Sequence, residues 1–477
     1  MSNMQSNGYV APSLTPNRNG FFDTMNTSHQ QYRNDQIEGV SIEELTERFG
    51  SPLFVFSERA LRAKYHEAYT AFSTRYPDVQ FAWSYKTNYL KAICKVFHEE
   101  GSIAEVVSDF EYEKARKLGI PGHQIIVNGP YKSETFLRLA VSENAKIQVD
   151  NHQEIGTIEK IAEEIGRPVN VAIRVNMVTG CEPAWTKFGF NFESGDAMLA
   201  VSRVCSSEHL NLVGLHSHIG TFILDPNQYR VSMQNLCALV WGAYTQYGVE
   251  VEYINAGGGF ASANTLHYQY LPGKDVVPSF NQYAEAICDT LLLNLPKEMP
   301  TPKLYLETGR ALVDEAGYLI TSVLHGRHSG DGRQSLVVDA GINLLYTAAW
   351  YKFDIQTTQP FEGPVGPTTL YGPLCMNIDV IRQEVYLPTM SPGQTLLIHP
   401  VGAYNITQSM QFITYRPAVV MIGLDGTVDI IRRAENLEHV EALEELPERM
   451  QDKPVKNDRR RNGTNRLTSE LADAARR

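Results

Sequence analysis

The sequence of 477 residues lacks the features of membrane, secreted and nucleic-acid-binding proteins. No window approaches the roughly 18 uncharged apolar residues that a membrane span requires. The start of the chain has no basic segment followed by an apolar core, so we find no secretory signal. Basic residues number 42 against 54 acidic ones, which gives a formal net charge of −12. This balance argues against a nucleic-acid partner and against an acidic membrane surface.

Cysteine is scarce and unpatterned. Its six copies stand at positions 94, 181, 205, 237, 288 and 375, without a CxxC pair or a metal-ligand spacing. This distribution predicts reduced thiols, a cytoplasmic location and no metal site. What remains is ordinary globular composition, 43% hydrophobic and 20% charged, in a chain long enough for two domains.

Short apolar runs alternate with helix-like stretches over the first two thirds of the chain. Eight such runs lie at 81–85, 103–107, 124–127, 146–149, 170–175, 211–216, 251–255 and 302–307. This alternation predicts an α/β fold, a (β/α)8 TIM-like barrel, with an open doubly wound sheet as the alternative. After residue 310, short runs broken by Gly and Pro predict a C-terminal all-β domain, joined by an early strand at 53–56.

The predicted organisation has five parts. They are a disordered leader (1–38), an N-terminal segment joining the β domain (39–74), the barrel (75–312), the β domain (313–432) and a charged tail (433–477). The leader is rich in Asn, Ser, Gln and Thr, and so little apolar side chain cannot offset the entropy of ordering.

In a barrel the active site lies at the C-terminal ends of the strands. Lys86 follows the first run, beside Phe81, Trp83 and Tyr85. Desolvation there would lower the pKa of the lysine and leave an amine able to form a Schiff base. For a lone lysine the alternative is a side chain that reaches out to solvent from a strand end.

The last three strand ends carry a second group of candidates. Gly257, Gly258 and Gly259 would let backbone N–H groups close on an anion, with Arg310 and the Thr221 hydroxyl as further donors. A flexible turn is the alternative for three glycines alone. Their place after the seventh strand, where barrels often bind phosphate, favours a phosphate site.

A phosphate site and a strand-end lysine together predict pyridoxal 5′-phosphate as the cofactor. Glu307 would keep the pyridine nitrogen protonated, so that the ring accepts the electron pair left at the substrate's α-carbon. His218 would stack on the ring. A histidine satisfied by a backbone carbonyl remains the alternative for His218.

The motifs in their order resemble a known family. They are 85–88, 104–108, 187–189, 216–221, 257–260, 307–310, 339–341, 372–379 and 402–404. From about residue 51 to 433 the chain resembles the barrel-type (alanine-racemase-fold) pyridoxal-phosphate decarboxylases, and most of all the diaminopimelate decarboxylase branch.

The resemblance implies a role for each matching residue. Lys86 resembles the lysine that forms the aldimine, and His218 the histidine that stacks on the ring. The phosphate site would comprise Thr221, Gly257, Gly258, Gly259 and Arg310, with Glu307 on the pyridine nitrogen. Tyr404 would reach the cofactor from the β domain. Cys375 resembles the acid that protonates the carbanion in a neighbouring subunit, which implies a homodimer with shared active sites. Without the resemblance, a lone Cys375 would be read as a buried apolar residue.

The sequence departs from the family at positions that hold the substrate. The diaminopimelate branch carries Glu after the catalytic cysteine and an arginine near the position of Thr347; here Met376 follows Cys375 and 339–351 lacks arginine. Each lost contact to a charged group is worth about 1.5 to 3 kcal/mol. Diaminopimelate is therefore a doubtful substrate, and Met376, Tyr351 and Arg310 are candidate contacts to another one.

We therefore expect α-decarboxylation of an amino acid, free or bound to a carrier protein. Two alternatives stay open: an amino-acid racemase or epimerase of the same fold, and a non-catalytic decarboxylase-like regulator. Glu307 argues against a racemase, because alanine racemases place an arginine on the pyridine nitrogen. The joint presence of Lys86, Glu307, Arg310 and Cys375 argues against a regulator.

Overall fold

A computed structural model describes residues 33–180, 185–330 and 332–451, together with two short paired strands, β1 (Thr15–Pro16) and β2 (Phe22–Asp23). The rest of the predicted leader before residue 33, Cys181 and the tail from 452 lie outside the described residues. The N-terminal elements continue with β3 (Gln36–Ile37), β4 (Val40–Ser41), α1 (Ile42–Phe49), β5 (Leu53–Ser57) and α2 (Glu58–Ser73).

Eight parallel strands form a closed ring, as the sequence predicts. They are β6 (Val79–Ser84), β7 (Ile103–Val106), β8 (Ile125–Val127), β9 (Lys146–Val149), β10 (Val169–Asn176), β12 (Leu210–His216), β13 (Tyr253–Asn255) and β14 (Lys303–Thr308), and the two-residue β11 (Phe190–Asn191) pairs in parallel with the end of β10. Each strand pairs with the next around the ring, and β14 pairs with β6 to close it. The open-sheet alternative is therefore wrong.

Helices on the outside of the barrel connect these strands. They are α3 (Lys91–Glu99), α4 (Asp109–Lys117), α5 (Glu134–Ser142), α6 (His152–Ile165), α7 (Asp196–Cys205), α8 (Asn227–Tyr247), α9 (Gly273–Val276), α10 (Phe280–Ala284), α11 (Thr290–Asn294) and α12 (Arg310–Val313). Caps fix where several begin: the side chains of Ser108, Ser133 and Asn151 accept the N–H of Glu111, Phe136 and Glu154. None of the described helices is long and apolar enough to cross a membrane.

The strands after the barrel build an all-β domain, and the early strand β5 also belongs to it. They are β15 (Gly317–His328), β16 (Gln334–Val338), β17 (Asp354–Thr357), β18 (Gly366–Tyr371), β19 (Val380–Leu387), β20 (Thr395–His399), β21 (Val419–Ile422) and β22 (Val428–Arg432). The early strand β5 lies between β15 and β21, antiparallel to the first and parallel to the second. Leu53, Val55 and Ile320 are fully buried there. The early strand therefore pairs within the sheet of the β domain.

Residues from Glu435 onward form a separate unit, whose described part contains α13 (Leu437–Glu441). Asn436 caps this helix by accepting the N–H of His439 at 2.9 Å. The five predicted domain boundaries stay a prediction.

Candidate active site

A cavity of about 790 Å³ lies at the C-terminal ends of the barrel strands, and the β domain contributes to its wall. It brings together most of the predicted site residues: Lys86, His218, Thr221, Gly259, Glu307, Arg310, Tyr351 and Tyr404. Gly257 and Gly258 lie in the same turn but do not line the cavity. Cys375 and Met376 do not line it either.

Lys86 follows β6, and its ammonium is held by a carboxylate from the next strand. Nζ donates to Glu105 Oε2 at 2.6 Å, because the barrel register sets Ser84 beside Glu105. Burial acts to lower the pKa of Lys86, but the negative charges of Glu105 and Glu307 outweigh it, and the pKa is raised. The expectation of a lowered pKa is wrong, because it counted the aromatic neighbours and missed the carboxylates.

Glu307, at the end of β14, is a buried anion with one oxygen left free. Its Oε1 accepts the side-chain N–H groups of Asn128 and Asn255, each at 2.7 Å. Its Oε2 accepts no hydrogen bond from the described residues; His218 Nδ1 lies 3.8 Å from it. Burial opposes the charge, but His216 and Lys86 outweigh it and hold the pKa of Glu307 well below its usual value.

His218 is neutral and fixed in one tautomer. The backbone N–H of Gly258 donates to its Nδ1 at 2.9 Å, so the proton is on Nε2. Burial lowers the pKa of His218 to about 3. The alternative of a histidine bonded through this nitrogen to a carbonyl is therefore wrong, and the ring is held 5.3 Å from that of Trp185.

Arg310 is a buried cation of the cavity lining with a spare hydrogen-bond donor. Its Nη2 donates to the Thr221 hydroxyl at 3.3 Å, and its buried Nη1 has no partner among the described residues. The rings of Tyr404 and Tyr351 lie 4.7 and 5.3 Å from the guanidinium carbon. These contacts orient the guanidinium and leave a hydrogen-bonding nitrogen for an anion.

The glycine turn contributes fewer free N–H groups than the sequence suggests. The N–H of Gly257 donates to Asn255 Oδ1 and that of Gly258 to His218, each at 2.9 Å. Gly259, which lines the cavity, is the one whose N–H has no acceptor among the described residues. The other two glycines permit close packing: a Cβ on Gly257, at φ +67°, would lie 2.7 Å from the Ser217 carbonyl oxygen.

The loop that carries Tyr404 is fastened to the turn that carries Lys86. The N–H of Tyr404 donates to the Thr87 carbonyl at 2.8 Å, and the Thr407 hydroxyl donates to the Lys86 carbonyl at 2.9 Å. Tyr404 has φ +65°, which a residue other than glycine rarely adopts. The two domains therefore fix one another at the lysine.

Cys375 lies on an exposed, well-anchored loop. The buried carboxylate of Asp379 accepts the N–H of Leu374 and that of Ile342, each at 2.8 Å. The thiol of Cys375 is free and exposed, so reading this cysteine as a buried apolar residue is wrong.

Comparison with known proteins agrees with this geometry. Residues 62–314 match the family model described as "Pyridoxal-dependent decarboxylase, pyridoxal binding domain". The chain belongs to the pyridoxal-dependent decarboxylases. It is thus a carboxy-lyase that uses pyridoxal 5′-phosphate to decarboxylate an amino acid, as the sequence predicts.

Relatives in this family cover nearly the whole chain. The diaminopimelate decarboxylase of Aquifex aeolicus (strain VF5) is 30% identical over 425 residues, which are 86% of this chain and 96% of the relative. The L-glutamyl-[BtrI acyl-carrier protein] decarboxylase of Niallia circulans is 26% identical, over 86% and 97%. A crystal structure of diaminopimelate decarboxylase from Methanocaldococcus jannaschii is 28% identical with a TM-score of 0.79, over 87% and 97%.

The cavity of this decarboxylase fits the cofactor of its family. The partnerless Nη1 of Arg310 and the N–H of Gly259 suit a phosphate. The free Oε2 of Glu307 suits a protonated pyridine nitrogen, because an anionic carboxylate can only accept hydrogen bonds. Lys86 supplies the amine.

Sequence reasoning missed the residues that support these groups. Asn255 and His216 end their strands, Glu105 is the second-last residue of β7, and Asn128 follows β8. All four lie beside Lys86 or Glu307. Arg174, at the end of β10, lines the cavity and pairs with Asp150 at 3.5 Å. The rule that strand ends carry the chemistry could have found Glu105 and Arg174, but it gives no signal for neutral amides.

Proposed function

We propose that this decarboxylase removes the α-carboxyl group of an amino acid at Lys86, with Glu307 as the partner of the pyridine nitrogen. The observation that carries the proposal is the free Oε2 of Glu307, in one cavity with Lys86 and with the unpaired Nη1 of Arg310. When bound, pyridoxal phosphate supplies an aldehyde for amines and a ring that accepts the electron pair of the breaking bond.

The protein's own groups divide the remaining work. Lys86 would bind the aldehyde, and Glu105, at 2.6 Å, would take up and return the proton of the lysine amine. Glu307 would hold a proton at the pyridine nitrogen. Arg310, Thr221 and Gly259 would bind the phosphate, and the neutral ring of His218 would pack on the cofactor. Tyr404 closes this group from the β domain.

Carbon dioxide release from amino acids tests the proposal. The protein reconstituted with pyridoxal phosphate is offered a panel of L-amino acids, meso-diaminopimelate and aminoacyl carrier protein. We expect release of carbon dioxide and retention of the amino group in the product. Inversion at the α-carbon without carbon dioxide would contradict the proposal and indicate a racemase.

Cys375 is proposed to act in a neighbouring copy, where its thiol protonates the α-carbon. Support comes from its exposure, its absence from the lining of its own cavity and the exposed apolar side chains described next. Ile378 on the same loop is 66% exposed, and Met410, Phe412 and Ile413 are also exposed. The Met410 N–H donates to the Asn343 carbonyl, on the segment that Asp379 also anchors. Exposed apolar patches of this kind are typical of protein interfaces. We propose that this one contacts a second copy of the chain in a homodimer.

Mixing two inactive variants is expected to restore activity. The Lys86→Ala and Cys375→Ala proteins are mixed, unfolded or dissociated, and reassembled. Each mixed dimer then has one site that contains both Lys86 and Cys375. Half of the dimers are mixed and half of their sites are intact, so about a quarter of the wild-type rate should return. No recovery from mixed dimers that are detected by tag capture would show that Cys375 does not act across the interface.

We also propose an intracellular location, since five described cysteines are free thiols.

A further inference from the structure

Four aromatic side chains form part of the wall of the cavity. Trp185 and Phe188 come from the barrel, with ring centroids 5.7 Å apart, and Trp350 and Tyr351 come from the β domain, 6.4 Å apart. All four line the cavity. Trp350 stays 42% exposed although its ring also packs edge-on against Tyr346. A half-exposed tryptophan at the mouth of a cavity offers apolar area to a ligand.

The β-domain side of this wall is held rigidly by the barrel loop 265–269. The N–H of His267 donates to the Trp350 carbonyl at 3.0 Å, and the N–H of Lys352 donates to the Thr265 carbonyl at 2.7 Å. The imidazole Nε2 of His267 donates to the Ala348 carbonyl at 2.7 Å. Because these bonds hold Trp350 from both sides, the wall is formed before a ligand arrives, which reduces the entropy lost on binding.

The charged groups of the lining do not match a second ammonium on a substrate. Among the described lining residues the carboxylates are Glu105 and Glu307, both buried; Glu105 accepts from Ser84 and Lys86, and Glu307 is the proposed partner of the pyridine nitrogen. The charged lining residue that is exposed is a cation, Lys187, 5.4 Å from the ring of Phe188. A distal ammonium in the outer part of the cavity would lose water without gaining a carboxylate, which is unfavourable.

The loop proposed to close the cavity from a second copy adds no acid. It carries Cys375, Met376, Asn377 and Ile378, and the next residue, Asp379, is buried and bonded to backbone N–H groups. Neither side of the completed site would therefore offer a free carboxylate to a distal ammonium of the substrate.

We infer that the substrate is an amino acid with a large, uncharged, aromatic side chain, which lies between Trp185 and Phe188 on one side and Trp350 and Tyr351 on the other. This inference rests on the proposed reaction at Lys86. It names the group that replaces the distal ammonium, for which the described lining has no free carboxylate.

A substrate series tests the inference. The holoenzyme is offered L-phenylalanine, L-tryptophan, L-lysine, L-glutamate and meso-diaminopimelate, and both carbon dioxide release and the change in the cofactor's visible spectrum are measured. We expect kcat/KM to be at least about tenfold higher for an aromatic amino acid than for any charged one, since apolar pocket contacts discriminate by such factors. A charged amino acid with the highest kcat/KM would overturn the inference and leave the decarboxylase intact.

The spectral titration separates the two proposals. If aromatic amino acids change the spectrum at the lowest concentrations but release no carbon dioxide, the inference on the substrate class holds and the proposed reaction fails. If no aromatic amino acid changes the spectrum, the inference is overturned.

A matched pair of tryptophan variants locates the contact. Trp350→Ala should raise KM for the aromatic substrate about fivefold or more with kcat little changed, because it removes binding area and no reacting group. Trp241→Ala is the control, since Trp241 on α8 is also 42% exposed but does not line the cavity. Equal effects of the two variants on KM would overturn the proposed contact of Trp350 with the substrate. The same conclusion would follow if sedimentation showed that Trp350→Ala had lost its dimer and this loss accounted for the effect on KM.

Discussion

Lys86→Ala is expected to abolish carbon dioxide release and the visible absorbance of lysine-bound cofactor. The amine of Lys86 lies in the cavity and pairs with Glu105. The other lysine of the described lining, Lys187, is exposed, so we expect no second amine to replace it. Losing the group that binds the aldehyde should lower kcat by at least about a thousandfold, as loss of a covalent catalyst does in other enzymes. The measurements are the rate and the absorbance spectrum of protein incubated with pyridoxal phosphate.

Two further variants distinguish loss of the amine from loss of folding. Alanine leaves the buried carboxylate of Glu105 without its cation, which is destabilising. Lys86→Arg keeps a positive charge there but cannot form the covalent link, so it should be inactive with a normal thermal transition. Lys91→Ala, on the exposed start of α3, should retain full activity. An active Lys86→Arg enzyme would refute the role of Lys86.

The barrel and the principal site residues could be predicted because periodic apolar runs determine both. Eight runs separated by helical stretches set a closed parallel ring, and in such a ring every strand ends at the same face. Lys86, His218 and Glu307 follow or end their strands, so their proximity needs only the order of the strands. The exact register does not enter that argument.

Register and hydrogen bonding explain what could not be predicted. The pairing of Ser84 with Glu105 sets the carboxylate beside Lys86 and reverses the expected shift of the lysine's pKa. Lys86 and Glu105 are 19 residues apart in the sequence, and no local pattern encodes a contact over that separation. The use of the Gly257 and Gly258 N–H groups within the protein is likewise a tertiary feature. The proposed role of Cys375 requires a second copy of the chain, which only the resemblance implies.

Glu307→Gln is expected to lower kcat by about a hundredfold to a thousandfold, as removal of one preorganised electrostatic group does. A glutamine side chain has nearly the same shape, and its oxygen can still accept from Asn128 and Asn255. Its amide cannot supply the negative charge that keeps a pyridine nitrogen protonated, so the ring should accept the electron pair less well. Lys86 and Arg310 are unchanged, and the cofactor should still bind.

The measurement is therefore kcat together with the amount and spectrum of bound cofactor. Glu111→Gln is the matched control, because Glu111 is buried like Glu307 but does not line the cavity. It lies on the barrel helix α4 and accepts one backbone N–H at 2.9 Å. Burial raises the pKa of Glu111 to about 7, so this carboxyl is already partly neutral near that pH and an amide should change little. A Glu307→Gln enzyme with wild-type kcat would mean that the charge on Glu307 is not needed for the electron pair, and the proposed assignment of this residue would fail.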